Sequence, residues 1–258
     1  MSSEELRKKI SYVINSFEDE EYYISADELL ASMGYASSRR LPMQEKTPQE
    51  FLDSYNKEVK LNEQKALIEK WRGIDLLFQL TGADLELGGQ PALPLPTQER
   101  IDQNITSYLF FALELQDAPY SRTDLSDITR EINKCFPIPV MLVIKHGAKI
   151  SMAVIHRRPN KRESDKDVLE KVTLIKDVDI NNPHRAHIEI FADLSLQEIV
   201  TKPSPPKSME KLHEVWLSVL DLKELNKNFY KELSNWYFWA IKECTFPPEA
   251  GSDETRNP

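Results

Sequence analysis

The chain is poor in cysteine and glycine. Among its 258 residues only Cys135 and Cys244 carry thiols, and there are seven glycines. Two cysteines so far apart supply neither a zinc-ligand pattern nor a disulfide framework, which fits a reducing compartment. Seven glycines, none in a strand–helix phosphate-loop pattern, leave no nucleotide cradle of that kind. The Gly-x-Ser-x-Gly elbow of the α/β-hydrolases does not occur. Apolar runs stay well short of the ~18 residues of a membrane span, and the opening MSSEELRKKI lacks a signal-peptide core. The expectation is a cytoplasmic protein with no membrane partner.

Basic residues are the minority charge, 33 against 42 acidic, for a formal net charge of −9. That balance argues against a general nucleic-acid coat protein but leaves room for a local basic site. The charge is unevenly spread. Residues 1–139 carry net −9, residues 140–176 net +5, and residues 177–258 net −5. The basic segment holds most of VIHRRPNKRESDKDVLEKVTLIKDV, residues 154–178, in which Arg157, Arg158, Lys161 and Arg162 follow a strand-like run. One reading is a solvated turn after an edge strand. The other is a patch that grips nucleic-acid phosphates from several angles without reading bases, because Arg157 and Arg158 point apart in extended chain and Lys161 and Arg162 follow the bend at Pro159.

With 40% hydrophobic and 29% charged residues, the composition is that of a globular protein able to bury a real core. The first ~95 residues read as mainly helical. Leu6, Ile10, Val13, Ile14 and Phe17 fall at helical spacing. SADELLASMG reads as a second helix, with Ser25 as cap, Glu28 in the capping-box position and Gly34 as the stop. Thr47, Pro48 and Glu50 signal a third start, and a charged helix is expected to run toward Trp71. LGGQPALPLPT is a loop by composition.

The middle changes character. SYLFFALEL reads as a buried strand, with a helix as the competing assignment. SRTDLSDITREINKCF is a helix with Leu125, Ile128 and Ile132 on one face. IPVMLVIK is apolar almost throughout, as expected of a strand covered on both sides. ISMAVIH, KVTLIKDV and AHIEIFADL continue the strand-like series. The expected fold is α+β, a mixed β-sheet with packed helices between helical amino- and carboxy-terminal segments. The expected divisions are a helical segment at 1–46, an α/β core at 47–201, a KPSPPKS linker at 202–208, helices at 209–246 and a polar tail at 247–258.

One carboxylate stands in a suggestive setting. In ALELQD, Glu114 lies two residues before Gln116 on the apolar strand, so alternation places both on one face. Nucleases of the PD-(D/E)xK type use this spacing to hold a divalent metal and polarise water, usually with Lys in the second position. Asp75 and Asp84 are the candidates for the second acid, and Mg²⁺ would be the cofactor. The helix and strand after Glu114 follow the nuclease order. Against this stand a solvent-facing Glu114 and the Gln at 116. In HRAH, His184 and His187 have ligand-like spacing but enter an apparent strand, where positions three apart face opposite ways. Cys135 reads as core.

The carboxy-terminal stretch NFYKELSNWYFWAIKEC holds Trp236, Tyr237, Phe238 and Trp239 in succession. At ~100° per residue four consecutive rings span about 300° of a helix, more than one core surface covers. At least one ring is therefore expected on an exposed, partner-seeking patch, unless the helix is sandwiched between two layers.

The phrases YSRTDLSDITREIN, FPIPVMLVIKHG, HRRPNKRESDKDVLEKVTLIKDV, NPHRAHIEIFADLSL and LNKNFYKELSNWYFWA resemble the amino-terminal region of large prokaryotic restriction–modification proteins. Those proteins, type IIG-like, fuse such a region to an adenine-specific DNA methyltransferase. The resemblance runs from roughly Tyr55 onward. It implies a role in DNA restriction and defence, with double-stranded DNA as ligand and a methyltransferase subunit as partner. The sequence contains no Asn-Pro-Pro-Tyr motif and no Gly-rich S-adenosylmethionine loop, so the resemblance implies no methylation by this chain. Three readings follow: a non-catalytic DNA-binding or scaffolding module, a metal-dependent nuclease domain, and an interaction subunit docking on a separate methyltransferase.

Overall fold

Five runs rich in Leu, Ile, Val and Phe pair into one sheet. They are β1 (Trp71–Thr81), β2 (Ser107–Leu115), β3 (Val140–His146), β4 (Lys149–Pro159) and β5 (Asp167–Asp179), in the spatial order β1-β2-β3-β4-β5. The computed structural model describes residues 2–58, 60–85, 107–159 and 167–243, with the side chains of 157–159, 167–170 and 222–229 left aside. β2 and β3 are parallel and the other three pairs antiparallel. A parallel pair needs a crossover, and α5 (Arg122–Lys134) lies between β2 and β3 in the chain. The fold is α+β, a mixed sheet with helices packed on it.

Both faces of the sheet are covered, which is why its central strands are apolar nearly throughout. Tyr108, Phe110 and Ala112 of β2 enter one core with α1 (Ser3–Ser16), α2 (Tyr22–Ser32) and α8 (Met209–Val219). Leu109, Phe111, Leu113 and Leu115 enter the other, with Phe51 of α3 (Pro48–Tyr55) and Leu125, Ile128 and Ile132 of α5. Trp216 of α8 sits fully buried in the first core. Its ring meets Tyr35, Tyr108 and Phe110 edge-on, and its Nε1 donates to the Tyr35 hydroxyl at 2.7 Å. The Tyr35 hydroxyl in turn donates to the Leu194 carbonyl, so the polar tips of Trp216 and Tyr35 are both bonded.

Several local signals act as the sequence suggests. Thr47 caps α3, accepting from the Glu50 N–H at 3.1 Å, with Pro48 in the first turn. The expected helix α5 also carries a capping box, Ser121 with Asp124, that its apolar stripe did not announce. Gly34 ends the α2 region at φ 92, a conformation that favours glycine.

Four expectations fail. The charged helix toward Trp71 reduces to α4 (Glu63–Ala66) and a 3-10 turn at Ile68–Lys70, split by Leu67 at φ 52. WRGIDLLFQLT, counted within a helical region, is strand β1, because burial on both faces hides any alternation. AHIEIFADL is no strand but helix α6 (Arg185–Asp193), capped by the His184 ring accepting from the Ala186 N–H. Its apolar residues suit either period, and packing of Phe191 and Ala192 into the first core selects the helix. α2 also begins earlier than expected: Ser25 lies buried inside it, its hydroxyl 3.2 Å from that of Ser16.

The chain divides into two compact units, Met1–Leu220 and Asp221–Pro258, so α8 belongs with the sheet. The second unit contains α9 (Leu222–Glu243). No helix among the described residues is long and apolar enough to cross a membrane.

Candidate nucleic-acid interface and the buried carboxylates

The basic segment ends in a projecting element. Pairing of β4 with β3 reaches Val154, opposite Met141, but pairing with β5 continues to Pro159, opposite Asp167. The last residues of β4 and the first of β5 therefore form a two-stranded ribbon beyond β3. Arg157 and Arg158 lie in its backbone, opposite Leu169 and Val168. Lys161 and Arg162 lie outside the described residues. The paired backbone places two arginine positions on a ribbon instead of a loop.

Two imidazoles sit where the ribbon leaves the sheet. The half-buried His156 meets His213 of α8 edge-on, with ring centroids 5.3 Å apart. The Tyr108 hydroxyl contacts His213 Nδ1, while His213 Nε2 is buried without a partner among the described residues. Burial, reinforced by neighbouring His156, pushes the His213 pKa down to about 4. A lone histidine in SMEKLHEVW gave no sign of this role, since only the fold brings residues 108, 156 and 213 together.

Asp75 and Glu114 share a sheet face. Gly73 pairs with Glu114 and Asp75 with Ala112, so the two acids are diagonal neighbours across β1 and β2. Lys145, the partner of Glu114 on β3, brings Nζ to 3.5 Å from its carboxylate. Asp75 is 3% exposed, accepts from the Met43 N–H at 2.8 Å and has Lys46 Nζ at 3.9 Å. Burial raises its pKa, countered in part by the Met43 N–H and Lys46. Tyr22, at the start of α2, covers the intervening Gly73, where a Cβ would come 2.7 Å from the tyrosine hydroxyl. That hydroxyl is buried with no partner among the described residues. Desolvation and the Asp75 and Glu114 charges raise its pKa.

The other two candidates of that set lie elsewhere. Asp84 accepts from the N–H and hydroxyl of Thr81 and binds Arg39 at 2.5 Å, at the opposite end of β1. Gln116 lies just past β2, its side-chain amide donating to the Glu69 carbonyl at 2.9 Å. It does not stand beside Glu114 as the strand alternation suggested. Lys145 does, and nothing in the local spacing revealed it, because the neighbour comes from the next parallel strand. Each carboxylate thus already has a lysine, and no group of three His, Cys, Asp or Glu suited to a metal occurs among the described residues. The residues present do not fit a divalent cation as they stand.

The histidines of HRAH begin a helix. His184 is the cap and His187 lies in the first turn, ring centroids 6.2 Å apart. The expectation of opposite strand faces is therefore corrected. His146, Ser151 and Asp177 also meet, but Ser151 Oγ and Asp177 Oδ1 both stand 3.5 Å from the same nitrogen, Nε2. A nucleophile–base–acid relay uses the two opposite nitrogens, so this cluster is a polar tie within the sheet. Asp177 adopts φ 59 there, its N–H bonded to Ser151 Oγ. Cys135, half-buried, has its thiol pKa pushed up to about 11 by burial, which removes it as a nucleophile at neutral pH. On α9, Trp236, Tyr237, Phe238 and Trp239 are all exposed, by 55–63%.

These features define a sheet-based α+β module with a basic β-ribbon and a lysine-neutralised acid pair. Residues 55–236 match the model of one protein family, described as a domain of unknown function (DUF4391). That match covers more than half of the chain, and the chain belongs to this family. No curated protein and no solved structure gives a significant match.

Proposed function

We propose that the chain is a non-catalytic nucleic-acid-binding module of a prokaryotic restriction–modification system, acting in the cytoplasm on double-stranded DNA. The β4–β5 ribbon carries this reading. Two-stranded ribbons fit the major groove of duplex DNA, and arginines in a paired ribbon meet phosphates at low cost in backbone entropy. The surrounding residues 140–176 are the basic part of an acidic chain. The sequence resemblance to restriction–modification proteins supplies the biological setting. The exposed rings of α9 support a further contact, with a methyltransferase subunit as the partner.

The acid pair favours a non-cleaving role over the nuclease reading. A phosphodiester nuclease needs its carboxylates open to metal, water and phosphate. Here Asp75 is covered, and Lys46 and Lys145 supply the neutralising charge that a metal would bring.

Duplex binding measured against salt tests the proposal. Each phosphate contact contributes roughly −0.9 to the log–log slope. Replacing Arg157, Arg158, Lys161 and Arg162 by Gln should flatten the slope by up to about 3.6 and weaken binding at every sequence. Equal affinity and slope in the variant would remove the ribbon from the argument. Mg²⁺-dependent cutting that Glu114→Gln abolishes would overturn the non-catalytic assignment.

A further inference from the structure

On the second-core side of the sheet, a cavity of about 530 Å³ opens between the segment after α3, strands β1 and β2, and the end of α5. Its size falls in the range of small-molecule sites, roughly 300–1,000 Å³. Leu76, Leu109 and Ile138 make an apolar floor. Tyr55 and Phe136, ring centroids 5.2 Å apart, make an aromatic wall. Arg39, Lys57 and Lys60 stand on the lining; Arg39 pairs with Asp84 at 2.5 Å and Lys60 with Glu58 at 2.6 Å, which leaves Lys57 as the excess cation. That surplus of positive charge occurs in a chain of net −9. Lys57 is exposed and has no ion pair among the described residues.

Two amides add hydrogen-bonding capacity. Asn56 uses its Oδ1 to accept from the Leu61 N–H, which leaves its amide nitrogen as a donor. Gln79 donates to Ser107 Oγ at 3.1 Å, which leaves its carbonyl as an acceptor. An apolar floor, ring faces, one donor, one acceptor and a cationic rim match a flat heterocycle joined to an anion. A fatty acid would leave the amides unused, and an uncharged ring would leave Lys57 unused.

We propose that this cavity is a nucleotide-binding site, taking a base against Tyr55 and Phe136 and a phosphate at Lys57, with the paired Lys60 and Arg39 flanking it. The inference stands on the cavity and not on the ribbon. A nucleotide can arrive free or as an unpaired residue of a strand, and the chemistry recognised is the same. Base–aromatic contact of this kind carries about 5- to 150-fold in affinity.

Cys135 and its neighbours line the cavity, and their backbone amides provide the readout. In the full-length protein, deuterium labelling of the peptides that contain residues 54–58 and 135–138 is followed by mass spectrometry. Adenosine and thymidine monophosphate, adenosine alone, and a short single-stranded oligonucleotide serve as probes. The monophosphates should slow labelling, and adenosine should bind at least about tenfold more weakly, since the phosphate contacts supply much of the affinity. Tighter protection by the oligonucleotide would assign the site to a strand, and equal or weaker protection to free nucleotide. Lys57→Gln with Lys60→Gln, both on the surface, should weaken the monophosphates about tenfold at unchanged melting temperature. No protection up to about 5 mM by any nucleotide, or protection by adenosine equal to that by its monophosphate, would overturn the proposal. Salt-dependent duplex binding lost with the ribbon arginines leaves this result untouched, so the two ideas fail separately.

Discussion

Gly73→Ala is the sharpest test of the covered acid pair. The added methyl would meet the Tyr22 hydroxyl at 2.7 Å, Cε1 at 3.0 Å and Cζ at 3.1 Å. The obstacle is a ring only 7% exposed, held at the start of α2, and not the free end of a flexible chain. Overpacking of this kind costs about 1–3 kcal/mol. For a unit of this size each kcal/mol lowers Tm by about 2–4 °C. Tyr22→Phe removes the closest atom of the clash and also a buried hydroxyl without a partner among the described residues. An unsatisfied buried hydroxyl costs about 1–3 kcal/mol, so this change alone should be neutral or stabilising by about 1 kcal/mol. The double variant should recover roughly 1 kcal/mol relative to the sum of the singles, a coupling that urea unfolding resolves. Two results would refute the reasoning. One is Gly73→Ala within about 0.5 kcal/mol of the parent, the range of neutral surface changes. The other is a clear loss of stability in Tyr22→Phe, which would mean that the hydroxyl has a partner.

Three further outcomes are expected. The His213 pKa of about 4 lies below the ordinary unfolded value near 6.5, so the unfolded chain takes the proton first. Stability should therefore be full above pH 6.5 and fall as pH drops toward 4, by up to about 3 kcal/mol from this group; His146, also lowered by burial, acts in the same direction, and a pH-flat unfolding curve across this window would contradict both. Trp236 and Trp239 are 60% and 58% exposed whereas Trp71 and Trp216 are buried, so acrylamide should quench about half of the tryptophan emission readily, and uniform protection in dilute protein would contradict the exposed helix. Trp216→Phe should cost about 2–3 kcal/mol in denaturant unfolding, from lost burial plus the hydrogen bond to Tyr35, and a change below about 0.5 kcal/mol would show that the cluster tolerates the gap.

Local chemistry determined much of this protein before any tertiary contact. The caps at Thr47 and Ser121, the stop at Gly34 and the stripe of Leu125, Ile128 and Ile132 act within a few residues, so their meaning is written in the order of the chain. The same holds for the apolar run of β3, the basic stretch around Arg157, and the four successive rings of α9, whose spread around the helix follows from 100° per residue alone. What the sequence left undecided is what depends on partners distant in the chain. WRGIDLLFQLT and AHIEIFADL have patterns that suit two periods, and only the sheet and the first core chose between them. The carboxylate pair shows the division most clearly. Glu114 was legible on its strand, but Gln116 was a false companion. Register across β1, β2 and β3 set Asp75 on the same face and Lys145 beside Glu114. α2 then laid Tyr22 over Gly73. Side-chain alternation is a property of one strand; register and layer packing are properties of several, and they decided which charges meet and whether water reaches them.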